Sequence, residues 1–183
     1  MLNGNMMNSN MYGITLYDYS SYNTILNNNA SSNVLGIYLD TSSNNNISNN
    51  TANSNMFDGF YIRGGGGNNL SNNIAVSNYG GINLYYSTNN TLSENDMALN
   101  TYNFLIFGSL NSHFNHTINM SNSVDGKPVY YKKGLTDTTY DSAAGIGWFG
   151  CISCNNVTLK DQTFMNNSPG VLFWNTSNSM IQN

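Results

Sequence analysis

The sequence predicts an all-β chain folded as a parallel β-helix, a β-solenoid of about eight coils of 22–23 residues each. Three observations carry that expectation. First, Gly13-Ile-Thr-Leu-Tyr, Gly36-Ile-Tyr-Leu-Asp, Gly59-Phe-Tyr-Ile-Arg and Gly81-Ile-Asn-Leu-Tyr open near-copies of one unit, with glycines 23, 23 and 22 residues apart. A fixed period in this range signals a repeat architecture, in which stacked copies bury what one copy cannot. Second, the apolar residues of each opening alternate (Ile14/Leu16, Ile37/Leu39, Phe60/Ile62, Ile82/Leu84), which is the two-residue period of a strand. No stretch carries the 3.6-residue stripe of an amphipathic helix. Third, 38 of the 183 residues are asparagine, in runs such as Asn27-Asn28-Asn29 and Asn44-Asn45-Asn46. Asn tolerates left-handed backbone at corners, and stacked Asn side chains hydrogen-bond up a ladder. Low-complexity disorder shares that composition, but not aliphatics in register or 13 Tyr and 8 Phe.

Taken in order, residues 1–12 read as the tail of a coil. Four coils follow at 13–35, 36–58, 59–80 and 81–103, each with a second aliphatic about eleven residues after its glycine: Ile25, Ile47, Leu70 and Leu92. Gly64-Gly65-Gly66-Gly67 reads as a corner, since a phosphate-binding loop needs a following Lys-Ser/Thr and a helix. A fifth coil is expected to open at Phe104, an aromatic standing in the glycine position, and a sixth at Lys127, 23 residues on. Residues 135–146 are expected to leave the solenoid as a loop, because Thr136-Asp-Thr-Thr-Tyr-Asp lacks apolar alternation. Coils resume at Gly147 and Gly170. The chain reads as one domain over 1–183, and its abrupt ends read as a piece of a longer solenoid. Uncapped ends would alternatively support end-to-end or lateral self-association.

Composition narrows the function classes. Charged residues make up only 8% and the formal net charge is −4, so there is no basic stripe to follow a phosphate backbone and nucleic-acid binding is disfavoured. No apolar run approaches the ~20 residues of a membrane span. The first residues have neither the positive nor the apolar region of a signal peptide. No cofactor motif is present, and no cofactor is expected.

The Gly-Ile-x-Leu…Asn-Asn-x-Leu/Ile repeat and the Asp125-Gly-Lys-Pro-Val-Tyr-Tyr131 element resemble the β-helix repeats of NosD-like proteins, a periplasmic copper-processing family with surface relatives. The resemblance covers nearly the whole chain. It implies a single-stranded right-handed parallel β-helix, exported or surface-located. It does not transfer a reaction.

The candidate sites follow from the strand pattern. The fourth position after each coil start gives Tyr17, Asp40, Arg63, Tyr85, Gly108, Tyr131, Cys151 and Trp174 as one outward ladder. The second position gives Thr15, Tyr38, Tyr61, Asn83 and Ile106 beside it. Tyr38, Asp40, Tyr61, Arg63 and Tyr85 are thus candidate ligand contacts, suited to a polysaccharide or to a surface protein. An Asp40–Arg63 pair on adjacent coils is expected as a surface salt bridge. Clustered acids on that face, as β-helix hydrolases and lyases use, are not found. His113 and His116, with Met120 nearby, are the candidate metal ligands. An i, i+3 pair on a strand points to opposite faces, so convergence requires a turn. Cys151 and Cys154 are candidates for a local disulfide in an exported protein. Ten Asn-x-Ser/Thr sequons are candidate glycosylation sites: Asn29, Asn46, Asn49, Asn69, Asn89, Asn115, Asn119, Asn156, Asn166 and Asn175. The expected function is a non-enzymatic extracellular or cell-surface module, structural or adhesive. A carbohydrate-binding or polysaccharide-cleaving β-helix is the second expectation, and periplasmic copper handling the third.

Overall fold

Each glycine opening becomes a strand because its alternate side chains meet different surroundings. In the computed structural model, which describes residues 1–183, Tyr12–Leu16, Leu35–Asp40, Asp58–Arg63, Gly80–Tyr85 and Tyr102–Phe107 form a five-stranded parallel sheet. Its register sets Ile14, Ile37, Phe60, Ile82 and Phe104 in one buried column. A second sheet stacks Leu2–Asn3, Thr24–Leu26, Asn46–Ser48, Asn69–Ser71, Thr91–Ser93 and Thr117–Ile118, aligning Ile25, Ile47, Leu70, Leu92 and Ile118. A third begins with Ile74–Val76, Asp96–Ala98 and Ser123–Val124, which turn Ala75, Met97 and Val124 into the same core. The result is a β-solenoid of about eight turns with parallel sheets and no α-helix. No helix is long and apolar enough to cross a membrane.

The glycines that open the coils are required by close approach. A Cβ on Gly36 would lie 2.5 Å from the Gly59 carbonyl oxygen and 2.9 Å from both Ala52 Cβ and Asn55 Nδ2. The asparagines divide into two kinds. Asn27, Asn44, Asn49, Asn72 and Asn89 hold left-handed φ angles of 52–56° at the corners. The second kind, among them Asn28, Asn50, Asn73, Asn95 and Asn122, is buried and stacked. Along that stack each backbone N–H donates to the next Oδ1 at 2.9–3.1 Å. Each Nδ2 donates to the same oxygen at 2.8–3.1 Å. Two further ladders run through Asn10, Asn33, Asn55, Asn78 and Asn100, and through Asn23, Asn45, Asn68 and Asn90. Buried amides paired this way cost little and fix the register between coils.

Three expectations are corrected beyond Gly81. Asn103, not Phe104, takes the fifth glycine position, because Phe104 pairs with Ile82. That one-residue shift buries Ile106 opposite Leu84 and puts Leu105 beside Asn83 on the outer face. Lys127 does not stack on Phe104 either. Asp125 and Gly126, with φ of 48° and 74°, make a two-residue turn that folds Lys127 and Pro128 back antiparallel on Ser123–Val124. Lys127–Lys133 then continues the third sheet, followed by Trp148–Ile152 and Val171–Trp174. Finally, the segment expected as a loop contains the strand Thr136–Tyr140, which pairs in parallel with Asn155–Lys160 and so with Met180–Gln182. Threonine is as good a strand former as valine, so apolar alternation was too narrow a test. A second core of Ile146, Phe149, Cys151, Cys154, Val157 and Leu159 lies under these strands. The outward ladder consequently ends at Phe107 rather than continuing through Gly108. Tyr131 is buried in the first core, Cys151 in the second, and Trp174 stacks on Phe114 at 4.0 Å.

Candidate functional site

The outer face of the five-stranded sheet brings the five predicted contact residues together. Register pairs Tyr38 with Tyr61, and Asp40 with Arg63, which in turn pairs with Tyr85. Arg63 Nη1 lies 3.7 Å from Asp40 Oδ2, a loose pair with an exposed guanidinium. The Tyr38 and Tyr61 rings stack at 5.3 Å with planes 11° apart, and Tyr85 stacks on Phe107 at 5.2 Å and 11°. Tyr12 covers the other side of Tyr38 at 5.8 Å. Burial raises the Tyr38 phenol above its ordinary value and pushes Tyr61 up to about 12, so both remain protonated hydroxyls. With ring faces turned to one another, this row offers a ligand edges and hydroxyls rather than open stacking platforms. Beside it, Asp40, Thr41, Arg63, Gly64, Tyr85 and Tyr86 line an open depression of about 530 Å³.

The two histidines are neighbours with different tasks. His116 is fully buried and stands where the ladder of Asn23, Asn45, Asn68 and Asn90 would place its next amide. Its Nδ1 accepts the Asn90 N–H at 3.2 Å, and its Nε2 donates to the His113 carbonyl oxygen at 2.9 Å. Desolvation lowers its pKa to about 4, which keeps the ring neutral. His113 lies in the short 3₁₀ turn Asn111–Phe114, and its Nδ1 accepts the N–H groups of Ser109 and Leu110 at 3.1 and 3.2 Å. The Met120 thioether lies 3.3 Å from the Lys132 ammonium. Cys151 and Cys154 are joined as a disulfide. With one imidazole fully committed to backbone, a cation at the thioether and the thiols oxidised, these residues do not fit a copper centre.

Eight of the ten sequon asparagines are exposed, whereas Asn29 and Asn69 are half-buried. Some have side chains already engaged, as in Asn69 Nδ2 to Asn46 Oδ1 at 3.0 Å and Asn115 Nδ2 to Asn89 Oδ1 at 2.8 Å.

One polar group is not among the residues that the repeat pattern singles out. Asp58 is shielded beside Gly80 and Asn83, and burial raises its pKa to about 6. The signal was an additional residue: four positions separate Asn55 from Gly59, but only three separate Asn33 from Gly36.

Against known families, the model of the periplasmic copper-binding protein NosD matches residues 1–147. The chain belongs to the NosD family. Comparisons with curated proteins and with solved structures return no match. The NosD match spans the five-stranded sheet, all three asparagine ladders, the His116 substitution and the Asp125-Gly126 turn. It ends at Gly147, just before the strand that carries Cys151 of the disulfide.

Proposed function

We propose that this chain is a non-enzymatic module of an exported protein, a stiff scaffold or adhesion segment whose outer sheet face meets a surface polysaccharide or protein. The observation that carries this reading is the use of its polar and aromatic side chains between coils. Asparagines join coil to coil, His116 continues their ladder, Asp40 reaches Arg63, and the tyrosines stack along the axis. The disulfide supports an oxidising compartment, in keeping with the periplasmic description of the family. Such a chain presents a surface more than it performs a reaction.

The depression beside Asp40 and Arg63 favours a second reading, contact with a sugar, whose hydroxyls would meet that charge pair and the Tyr85 and Tyr86 rings. The family description supplies a third, copper binding, which the donor geometry does not favour.

One set of measurements separates the three. Labelled protein is expected to be retained on envelope polysaccharide or protein without releasing reducing sugar. Retention on a glycan array, weakened at least tenfold by Asp40→Asn and by Tyr85→Ala, would establish the sugar reading. Titration with Cu(I) and Cu(II) is expected to show no saturable site. A stoichiometric site abolished by His113→Ala would replace the proposal, and so would sugar release.

A further inference from the structure

The segment 162–170 returns from the second core and lies across the outer face of the fourth and fifth coils. It is held by the Asn103 N–H donating to the Asn166 carbonyl oxygen at 2.6 Å and by Trp148 Nε1 donating to the Pro169 carbonyl oxygen at 2.8 Å. Asn167 Nδ2 adds a bond to the Gly147 carbonyl oxygen at 3.1 Å. Between this segment and the sheet lies a cavity of about 240 Å³, bounded by Asp58, Tyr79, Asn83, Tyr102, Leu105 and Ser168. Drug-sized ligands occupy ~300–1,000 Å³, so this space suits a single small group.

The chemistry of the lining is one-sided. Asp58 forms no ion pair, and none of the lining residues is a cation. Asn83 Oδ1 is buried without a hydrogen-bond donor. The Tyr79 and Tyr102 rings meet edge to face at 5.2 Å and wall one side. The sequence makes room for the acid, because a Cβ on Gly80 would collide with Asp58 Oδ1. A carboxyl with the Asn83 amide beside it but no cation, an orphan carbonyl acceptor and two electron-rich rings are complementary to a group that is positively charged, rich in N–H donors and attached to a short alkyl chain. A bare divalent cation would want more oxygens than this lining supplies. A neutral sugar would leave the carboxylate uncompensated.

We propose that this cavity binds a primary alkylammonium group, which the Asp58 carboxylate and Asn83 Oδ1 accept and the Tyr79 and Tyr102 rings flank. The group is offered either by a free amine or by a lysine side chain of a partner, and the same chemistry receives both. The site lies apart from the Asp40–Arg63 depression, so it stands or falls independently of the sugar reading.

The ionisable groups around Asp58 are the phenols of Tyr61, Tyr79 and Tyr102; burial pushes Tyr61 up to about 12, and the hydrogen bond with Tyr102 raises Tyr79. Binding therefore follows the ionisation of Asp58 alone and strengthens as pH rises through about 6. The test is amide and side-chain NMR titration of the whole chain with n-butylammonium chloride, Nα-acetyl-lysine amide, n-butanol, methyl glucoside and calcium chloride. Saturable shifts centred on Asn83, Tyr79 and Tyr102 are expected with the two ammonium probes at pH 8, and about tenfold weaker binding at pH 5. The tighter of the two identifies the source. Asp58→Asn, and Ser168→Phe as a plug placed from the covering segment, should each abolish the shifts in a chain that still melts cooperatively, the Asp58→Asn variant no lower than the parent at pH 8. An absence of saturable shifts with either ammonium would overturn the proposal. Equal shifts with butanol, or binding that is the same at pH 5 and pH 8, would overturn it as well. A response to the glucoside or to calcium alone would assign the cavity to that ligand instead. The pH comparison uses the unaltered chain, so it decides even if a variant fails to fold.

Discussion

Asn49 and Asn50 are adjacent, chemically identical and set to opposite tasks. Asn49 is exposed at a left-handed corner with φ of 54°. Asn50 is buried, accepts two hydrogen bonds from Asn28, and donates through its side chain to Ile25, Ser48 and Asn73. Asn50→Ala leaves donors of Asn28 unpaired in the core and is expected to cost about 2–4 kcal/mol in urea unfolding. Asn49→Gly, which keeps the corner, should stay within about 0.5 kcal/mol of the parent. Equal effects from the two would refute the division between ladder and corner. His116 fits the same scheme. The ladder residue stands two before the aliphatic in Asn23-Thr-Ile, Asn45-Asn-Ile, Asn68-Asn-Leu and Asn90-Thr-Leu, and His116-Thr-Ile continues the series. Its position was legible, but reading the two histidines as a pair drew attention to spacing between them and away from the repeat.

At the level of strands, the first four coils could be read from the sequence because glycine and alternating aliphatics mark the same positions each time. The fifth was misread by one residue. Phe104 was matched to the missing glycine, although Phe104 and Ile106 continue the Ile82/Leu84 alternation. A slip of one residue exchanges inside for outside, which is why Ile106 was assigned to the wrong face. The Asp125-Gly126 turn was also visible, since Asp-Gly between apolar residues is a strong hairpin signal. Regular 23-residue spacing to Lys127 masked it. The five contact residues lie on the regular coils, where the register sets them side by side, whereas the row predicted beyond Tyr85 does not continue. The Asp58 cavity was not legible, because its lid comes from residues more than a hundred positions away. Two glycine substitutions separate the physical reasons for glycine. Gly126→Ala meets nothing within 4 Å but must keep φ at 74°, and is expected to cost about 1–2 kcal/mol. Gly36→Ala meets backbone of the next coil, and is expected to cost about 3 kcal/mol or more, or to prevent folding. Thermal melts of the two variants check the order.

Over the whole molecule, one buried and one half-buried group pull its stability in opposite directions with pH. His116 has its pKa lowered from 6.5 to about 4, so its contribution is complete above pH 6.5 and is lost as pH falls towards 4. Asp58 has its pKa raised from 3.8 to about 6, so its contribution is complete below pH 3.8 and is lost as pH rises through 6. Each is worth roughly 2–3 kcal/mol, and between pH 4 and 6 they largely offset one another. His116→Asn should therefore lose stability as pH rises from 4 to 6.5, and Asp58→Asn should gain it. Slopes of the same sign in urea melts would disprove the assignment. The stacked amides have a final consequence. Every Asn-to-Asn bond in a ladder points the same way, and each coil offers its successor the same donors and acceptors that it meets in its predecessor. Growth in whole turns is therefore silent at the joints. Duplicating residues 36–58 should lengthen the rod by one ~4.8 Å step without a new kind of contact, whereas inserting a single residue mid-strand would bring mismatched groups face to face. A gene encoding such a chain can change its reach in fixed increments.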